Sequence, residues 1–300
     1  MISSSDSVAW GLAGQIFVLR SAEPEVLAVA RTVFAPWEQT GRVEIVCKWT
    51  VERCAGGFYL TCDRTAESIL VETPHMAVLH AEYGSLLQLG FPETHLTFHG
   101  ALLKPTDSVE SRAVLLLGHA QAGKSTLATA LWSHGWRLLC DDTVYVDLEG
   151  GEARPAPRRV AVRRESQPLL GAALWASLGS APSSHETSRG LVFHPHEVDG
   201  TQMLQSVELG AVVILSPSPT GPTLEPLDPA GAVFALAPHV KQFRADGLGA
   251  VLEPLSRLAS RNPISAMSRR DLQGMVWNLT KRLSFPDRCE RRHERRFERG

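Results

Sequence analysis

One run of residues in this 300-residue chain has the types and spacing for phosphate chemistry: Gly118, His119, Ala120, Gln121, Ala122, Gly123, Lys124 and Ser125, the pattern G-x-x-x-x-G-K-S. Gly118 and Gly123 free the backbone to bend so that successive N–H groups converge on an anion. A helix starting there aims its positive end at the same point. Lys124 supplies a mobile cation for the β- and γ-phosphates of a nucleoside triphosphate, Ser125 a hydroxyl for Mg2+, and Thr126 a further hydroxyl in the first turn. The plainer reading is an ordinary strand-to-helix turn. The complete pattern in a strand–helix context favours the phosphate loop.

The second set is Asp141-Asp142. Many enzymes with such a loop also use an Asp at the end of a later strand. Here the later apolar strand, 211–215, runs into Ser216-Pro217 and carries no acid. The acids lie instead after the strand that follows the loop's own helix, expected one strand over at the shared carboxyl edge of a parallel sheet. Two adjacent carboxylates can divide the work, one holding Mg2+ and the other accepting a proton from an attacking hydroxyl. The residue types leave open which does which, and a plain Asp-Asp turn is the competing reading.

These groups need particular elements around them. Residues 112–117 are continuously apolar, as in a strand buried on both faces. Residues 125–133 have helical apolar spacing, with Gly135 as a stop. Residues 137–140 form the strand that delivers the acids, and 143–148 and 95–103 read as further strands. Strands are also expected at 191–195 and 211–216, a Ser/Gly/Pro-rich mobile loop at 177–189, and helices at 229–237, 247–261 and 269–283. Upstream, strands at 15–20, 42–51 and 56–61 and helices at 23–34 and 73–89 give an α+β region without a chemical motif of its own.

Composition sets the outer limits. Hydrophobic residues make up 44% and charged residues 21%, with a formal net charge of -2. That is a globular chain with a sizeable core and no bias toward nucleic acid or a membrane surface. The five cysteines, Cys47, Cys54, Cys62, Cys140 and Cys289, fit no zinc spacing and read as reduced thiols of a cytoplasmic protein. No signal peptide or membrane-spanning run is legible.

Three stretches, His99-Gly100-Ala101-Leu102, the phosphate loop, and Gly135-Trp136-Arg137-Leu138-Leu139-Cys140-Asp141-Asp142, together resemble the catalytic domain of HPr kinase/phosphorylase in order and spacing. The resemblance runs from His99 to about Val146 and is closest to the divergent HPr-kinase-like proteins of bacteria, some of which modify peptides or natural products. It implies an α/β phosphate-loop catalytic domain over 93–287. Read from the sequence itself, residues 1–92 are expected to form a small α+β region for substrate or partner binding, and 288–300 a basic and acidic tail. The resemblance implies ATP and Mg2+ as cofactors, Lys124 and Ser125 on phosphates and metal, and Asp141 and Asp142 sharing metal binding and base duty. His99 would belong to the active site. Glu186, in Glu186-Thr187-Ser188-Arg189-Gly190, would be a second metal ligand. It also implies a homo-oligomer.

Weaker signals surround this core. His194-Pro195-His196 has the look of a metal pair but reads more simply as structural histidines. His239, Lys241 and Arg244 could reach phosphate, although a solvated loop is the simpler reading. Arg154, Arg158, Arg159, Arg163 and Arg164 form a basic patch that suits an acidic peptide or plain exposure. The expected function is an ATP- and Mg2+-dependent kinase that transfers the γ-phosphoryl group to a hydroxyl of a peptide, protein or small molecule. The alternatives are a nucleotide-hydrolysing switch or assembly protein without phosphotransfer, and a non-catalytic binding module.

Overall fold

The computed structural model describes residues 6–12, 15–35, 45–65, 68–88, 94–106, 111–156, 159–182, 184–187, 189–199, 206–216, 223–241, 249–268 and 271–283. The chain divides into two compact units, residues 1–91 and 92–300. The expected tail over 288–300, with Cys289, lies outside the described residues, as do Arg158 and Arg244.

The first unit contains β1 (Ser7–Leu12), β2 (Gln15–Ser21), α1 (Pro24–Phe34), β3 (Ile45–Cys54), β4 (Gly57–Cys62), β5 (Ser68–Val71) and α2 (Pro74–Gln88). The strands form one sheet in chain order, antiparallel except for the β2–β3 pair that α1 connects. Alternate burial along β4, with Phe58, Leu60 and Cys62 buried, marks a sheet with one covered face. Both helices pack against the sheet and each other, burying Val26, Ala30, Phe34, Ala77, Val78 and Ala81. Trp49 reaches across to α2, donating its indole N–H to Ser85 Oγ at 2.9 Å. Gly84 makes room for that ring, since a Cβ there would lie 2.3 Å from it.

The second unit opens with β6 (His95–Phe98), β7 (Gly100–Pro105), β8 (Ala113–Gly118), α3 (Lys124–Ser133), β9 (Trp136–Cys140), β10 (Val144–Asp147) and β11 (Glu152–Pro155). Next come β12 (Val160–Arg163), α4 (Gln167–Leu170), α5 (Ala172–Gly179), β13 (His185–Thr187), β14 (Gly190–Phe193), α6 (Pro195–Asp199) and β15 (Val207–Ser216). It closes with β16 (Leu224–Pro226), α7 (Pro229–Leu236), α8 (Gly249–Arg261), β17 (Ile264–Ser268) and α9 (Leu272–Leu283). The main sheet runs β6-β10-β11-β15-β8-β7-β9, with β17 alongside β15 and β16 alongside β17. Strands β8, β15 and β17 are parallel neighbours.

β8 is buried at every position because both of its faces are covered. On one face Val114 and Leu116 join Leu127 and Leu131 of α3 and Met275 and Leu279 of α9. On the other, Leu115 and Leu117 join Leu236 of α7 and Leu255 and Leu258 of α8. This alternation places β8 at the centre of a three-layer α/β unit.

The structure departs from the sequence reading around the site as follows. The expected strand over 95–103 breaks at His99 into β6 and β7, which pair with different partners. Asp141 and Asp142 are not one strand from β8, because antiparallel β7 lies between β8 and β9. Within the expected loop over 177–189, residues 177–179 end α5 and residues 185–187 form β13, held by pairing with β14. The segment after Phe193 turns into short α6 rather than continuing as a strand, so His194 and His196 do not share the extended geometry expected of a metal pair.

Candidate functional site

The loop over 118–125 takes its shape from two glycines. Gly118 has φ 155°, and a Cβ there would lie 2.9 Å from the Ala122 Cβ and 3.1 Å from the Leu215 Cβ. Gly123, left-handed at φ 89°, is the N-cap of α3 and brings no side-chain cap to that helix. First-turn amides without a side-chain acceptor are suited to an anion. Lys124 is buried, and its Nζ donates to Gly118 O at 2.8 Å and His119 O at 3.1 Å. Burial pulls its pKa down, while the charges of Asp141 and Asp142 oppose that shift. Both acids therefore lie within electrostatic reach of the lysine.

The two aspartates face different partners. Asp141 is buried, and the Ser125 hydroxyl lies near enough to favour its charged form. Burial pushes its carboxyl above the usual range, and the Ser125 hydroxyl opposes this. Asp142 adopts φ 78°, a left-handed conformation that Asp tolerates better than most residues. This reversal turns its carboxylate to a second group. His99 Nδ1–H donates to Asp142 Oδ1 at 2.8 Å, and Lys241 Nζ donates to Oδ2 at 3.2 Å. Lys241 also donates to Thr143 Oγ1 at 3.0 Å, whose hydroxyl donates to Asp142 Oδ2 at 3.2 Å.

β7 explains how His99 arrives there. It runs antiparallel between β8 and β9, so its first residue lies level with the carboxyl ends of both, Gly100 pairing with Leu117 and Leu102 with Cys140. His99, at the break before β7, thus falls between the loop and the acid turn. Gly100 has a steric reason for its type, because a Cβ would sit 2.5 Å from Leu116 O.

The reading of His239 and Lys241 as a solvated loop is overturned. After α7, which Asp228 caps through the N–H groups of Ala230 and Gly231, the chain crosses the β6–β7 break as an added strand edge. His99 N–H donates to His239 O at 3.2 Å and Lys241 N–H to Thr97 O at 2.7 Å, with Val240 bridging Phe98. This pairing buries His239 and carries Lys241 to an acid 99 residues away in sequence. The His239 ring lies 5.2 Å from that of His119. Burial, with the charges of His119, Lys124 and His99, holds its pKa at about 4 and keeps it neutral near pH 7.

Other sequence candidates lie elsewhere. Glu186 is exposed on β13 and pairs with Arg164 at 2.8 Å, not with Ser125 or either aspartate. The Thr126 hydroxyl bonds Ser166 Oγ at 2.6 Å, tying α3 to the turn after β12. His194 is buried. Arg159 is also buried, whereas Arg163 and Arg164 are exposed, so the basic run does not form one surface. Sequence reasoning missed Thr143 and underrated Lys241. A hydroxyl residue after Asp-Asp was a usable signal for the first, and nothing local announced the second.

The described site thus has two halves. One holds Lys124, Ser125, the uncapped α3 start and Asp141. The other holds Asp142 between His99, Thr143 and Lys241.

No protein-family model matches the chain. A CinA-like protein of Syntrophus aciditrophicus (strain SB) is 26% identical over 185 residues, which is 55% of this chain and 44% of that relative. The chain therefore spans less than half the length of this curated relative. Among solved structures, the Hpr(Ser) kinase/phosphatase from Coxiella burnetii is similar at 14% identity over 67% of this chain and 98% of its own, with a TM-score of 0.33. No helix among the described residues is long and apolar enough to cross a membrane.

Proposed function

We propose that the chain is an ATP- and Mg2+-dependent phosphotransferase that moves the γ-phosphoryl group to a hydroxyl of a peptide, protein or small molecule. The observation that carries this reading is the division of labour in the Asp141–Asp142 turn. One carboxylate meets the hydroxyl at the phosphate loop, and the other is held by a histidine and a lysine.

The residues fit the implied groups. ATP, as the donor substrate, would lie on the α3 N-terminus, where no side chain caps the helix, with Lys124 leaving the loop carbonyls for phosphate oxygens. Ser125 and Asp141 are an oxygen pair suited to Mg2+, which takes one or two carboxylates and completes its shell with phosphate and water. Bound there, Mg2+ would supply neutralisation of charge on the β- and γ-phosphates.

Asp142 is then the base. His99 and Lys241 hold its carboxylate in one orientation, and it accepts the proton of the acceptor hydroxyl as the new phosphorus–oxygen bond forms and the bond from the γ-phosphorus to the β,γ-bridging oxygen breaks, releasing ADP. Lys241, next to that carboxylate, is placed to attract the transferred phosphoryl group. Glu186, held by Arg164, has no part in this reading.

Two variants test it. Lys124→Ala should lose calorimetric binding of Mg-ATP. Asp142→Asn should keep binding and lose transfer by about 10²–10⁴-fold, the usual contribution of a positioned base. Full transfer activity in Asp142→Asn would remove Asp142 from that role.

A further inference from the structure

The first unit holds a cluster that phosphate chemistry does not use. The β3–β4 ladder ends where Trp49 pairs with Cys62. Beyond it, Lys48 N–H donates to Asp63 Oδ1 at 2.9 Å and Asp63 N–H donates to Lys48 O at 3.0 Å. This clasp draws the strand ends together, and the sulfurs of Cys47 and Cys62 come to 2.9 Å although the two residues are not opposite one another. Both cysteines are buried, Cys47 completely. One ligand atom each from Cys47, Cys62 and Asp63 lies within 4.8 Å of the others.

A further contact points to a ligand. Arg64 N–H donates to Cys62 Sγ at 3.4 Å. A backbone N–H aimed at sulfur stabilises a thiolate and fixes its direction, as outer-shell donors do around metals. The Arg64 guanidinium stays close, donating from Nε to Val46 O at 2.8 Å. It places a positive charge beside a ligand set that would be strongly negative.

We propose that Cys47, Cys62 and Asp63 form a zinc site that closes the open end of the β3–β4 hairpin. Two thiolates and a carboxylate are a ligand set for Zn2+ rather than for Mg2+ or Ca2+, and three protein ligands leave one tetrahedral position for water. Binding needs no redox partner. Each thiol releases its proton to solvent, two sulfur–zinc bonds and one oxygen–zinc bond form, and the site gains two positive charges against three negative ones. The sequence concealed this site because its cysteines lie 15 residues apart on two strands rather than in one turn.

The test uses the full chain, purified under reductant, stripped with a chelator and titrated with Zn2+ alone, then with Co2+ as a spectroscopic substitute. One equivalent of Zn2+ should bind, and Co2+ should give sulfur-to-cobalt charge-transfer absorption with tetrahedral bands. Cys47→Ser and Cys62→Ser should abolish that absorption, whereas Cys54→Ser should leave it intact. Asp63→Asn, an exposed change that spares the core, should weaken Zn2+ binding by at least roughly tenfold. The proposal fails if the wild-type chain binds no Zn2+, if the Cys47→Ser/Cys62→Ser double variant binds it unchanged, or if Asp63→Asn has wild-type affinity. It also fails if mass analysis shows a Cys47–Cys62 disulfide in a protein that takes up no metal after reduction.

Discussion

Asp142 combines three features that a structural turn does not require together: a left-handed backbone at φ 78°, a histidine on one oxygen, and a lysine on the other. Strained residues of this kind persist where the surroundings over-determine them. Lys241 is part of that restraint, so Lys241→Met should lower transfer about tenfold, a barrier change of about 1.4 kcal/mol, with Mg-ATP affinity unchanged. Lys241→Arg should recover part of the loss, and steady-state kinetics with separate kcat and KM would show it. His239 gives a prediction about stability. Its folded pKa of about 4 lies below the unfolded value of 6.5, so the folded state gains from the neutral ring above about pH 6.5. That gain disappears as the pH falls toward about 4. Between about pH 7.5 and 5 the wild type should lose roughly 2 kcal/mol from this residue. His239→Asn should lose correspondingly less, as read from urea midpoints at the two pH values. At this scale the glycine-framed loop over 118–125 and the acid pair were legible because each is a local run of types. Lys241 was not, because its approach depends on backbone pairing with residues 97–99, far away in the chain.

The site is assembled where three strand ends meet. β8 delivers the loop, β9 the acid turn, and β7 enters between them with His99 before its first residue. Close approach of β7 to β8 depends on Gly100. Gly100→Ala would place a Cβ 2.5 Å from Leu116 O and 2.8 Å from Leu117 Cδ2. Overpacking at such a site typically costs about 1–3 kcal/mol. The variant should lower the denaturation midpoint and, by displacing His99, slow transfer without abolishing Mg-ATP binding. Unchanged stability together with unchanged transfer would contradict this account of β7. Strand β8 and helix α3 could be read directly, since an uninterrupted apolar run and a helical repeat flank the glycines. The break between β6 and β7 could not, because His95 to Leu103 carry strand-forming residues on both sides of His99. Only the different partners of β6 and β7, β10 for one and β8 with β9 for the other, reveal it.

The molecule as a whole contains a site-bearing unit with apolar layers on both faces of its sheet and a first unit whose sheet carries two helices. The α/β character of the chain was legible from the alternation of apolar runs and helical spacing. Of the small sheet of β12, β14 and β13 only β14 was legible, because β12 and β13 are only three or four residues long and lie in Ser-, Arg- and Gly-rich sequence. In the proposed reading Asp142, His99 and Lys241 would deprotonate a hydroxyl, and no side chain among them selects a particular acceptor. The central claim is therefore tested by the fate of the γ-phosphate. Wild-type chain, Lys124→Ala and Asp142→Asn would be incubated with Mg-ATP and a panel of Ser-, Thr- and Tyr-containing peptides and small alcohols, and the products followed by phosphorus-31 NMR. The account predicts a phosphomonoester with the wild type, none with Lys124→Ala, and at most a trace with Asp142→Asn. Inorganic phosphate as the sole product across the panel, or ester formation by Asp142→Asn at the wild-type rate, would contradict it.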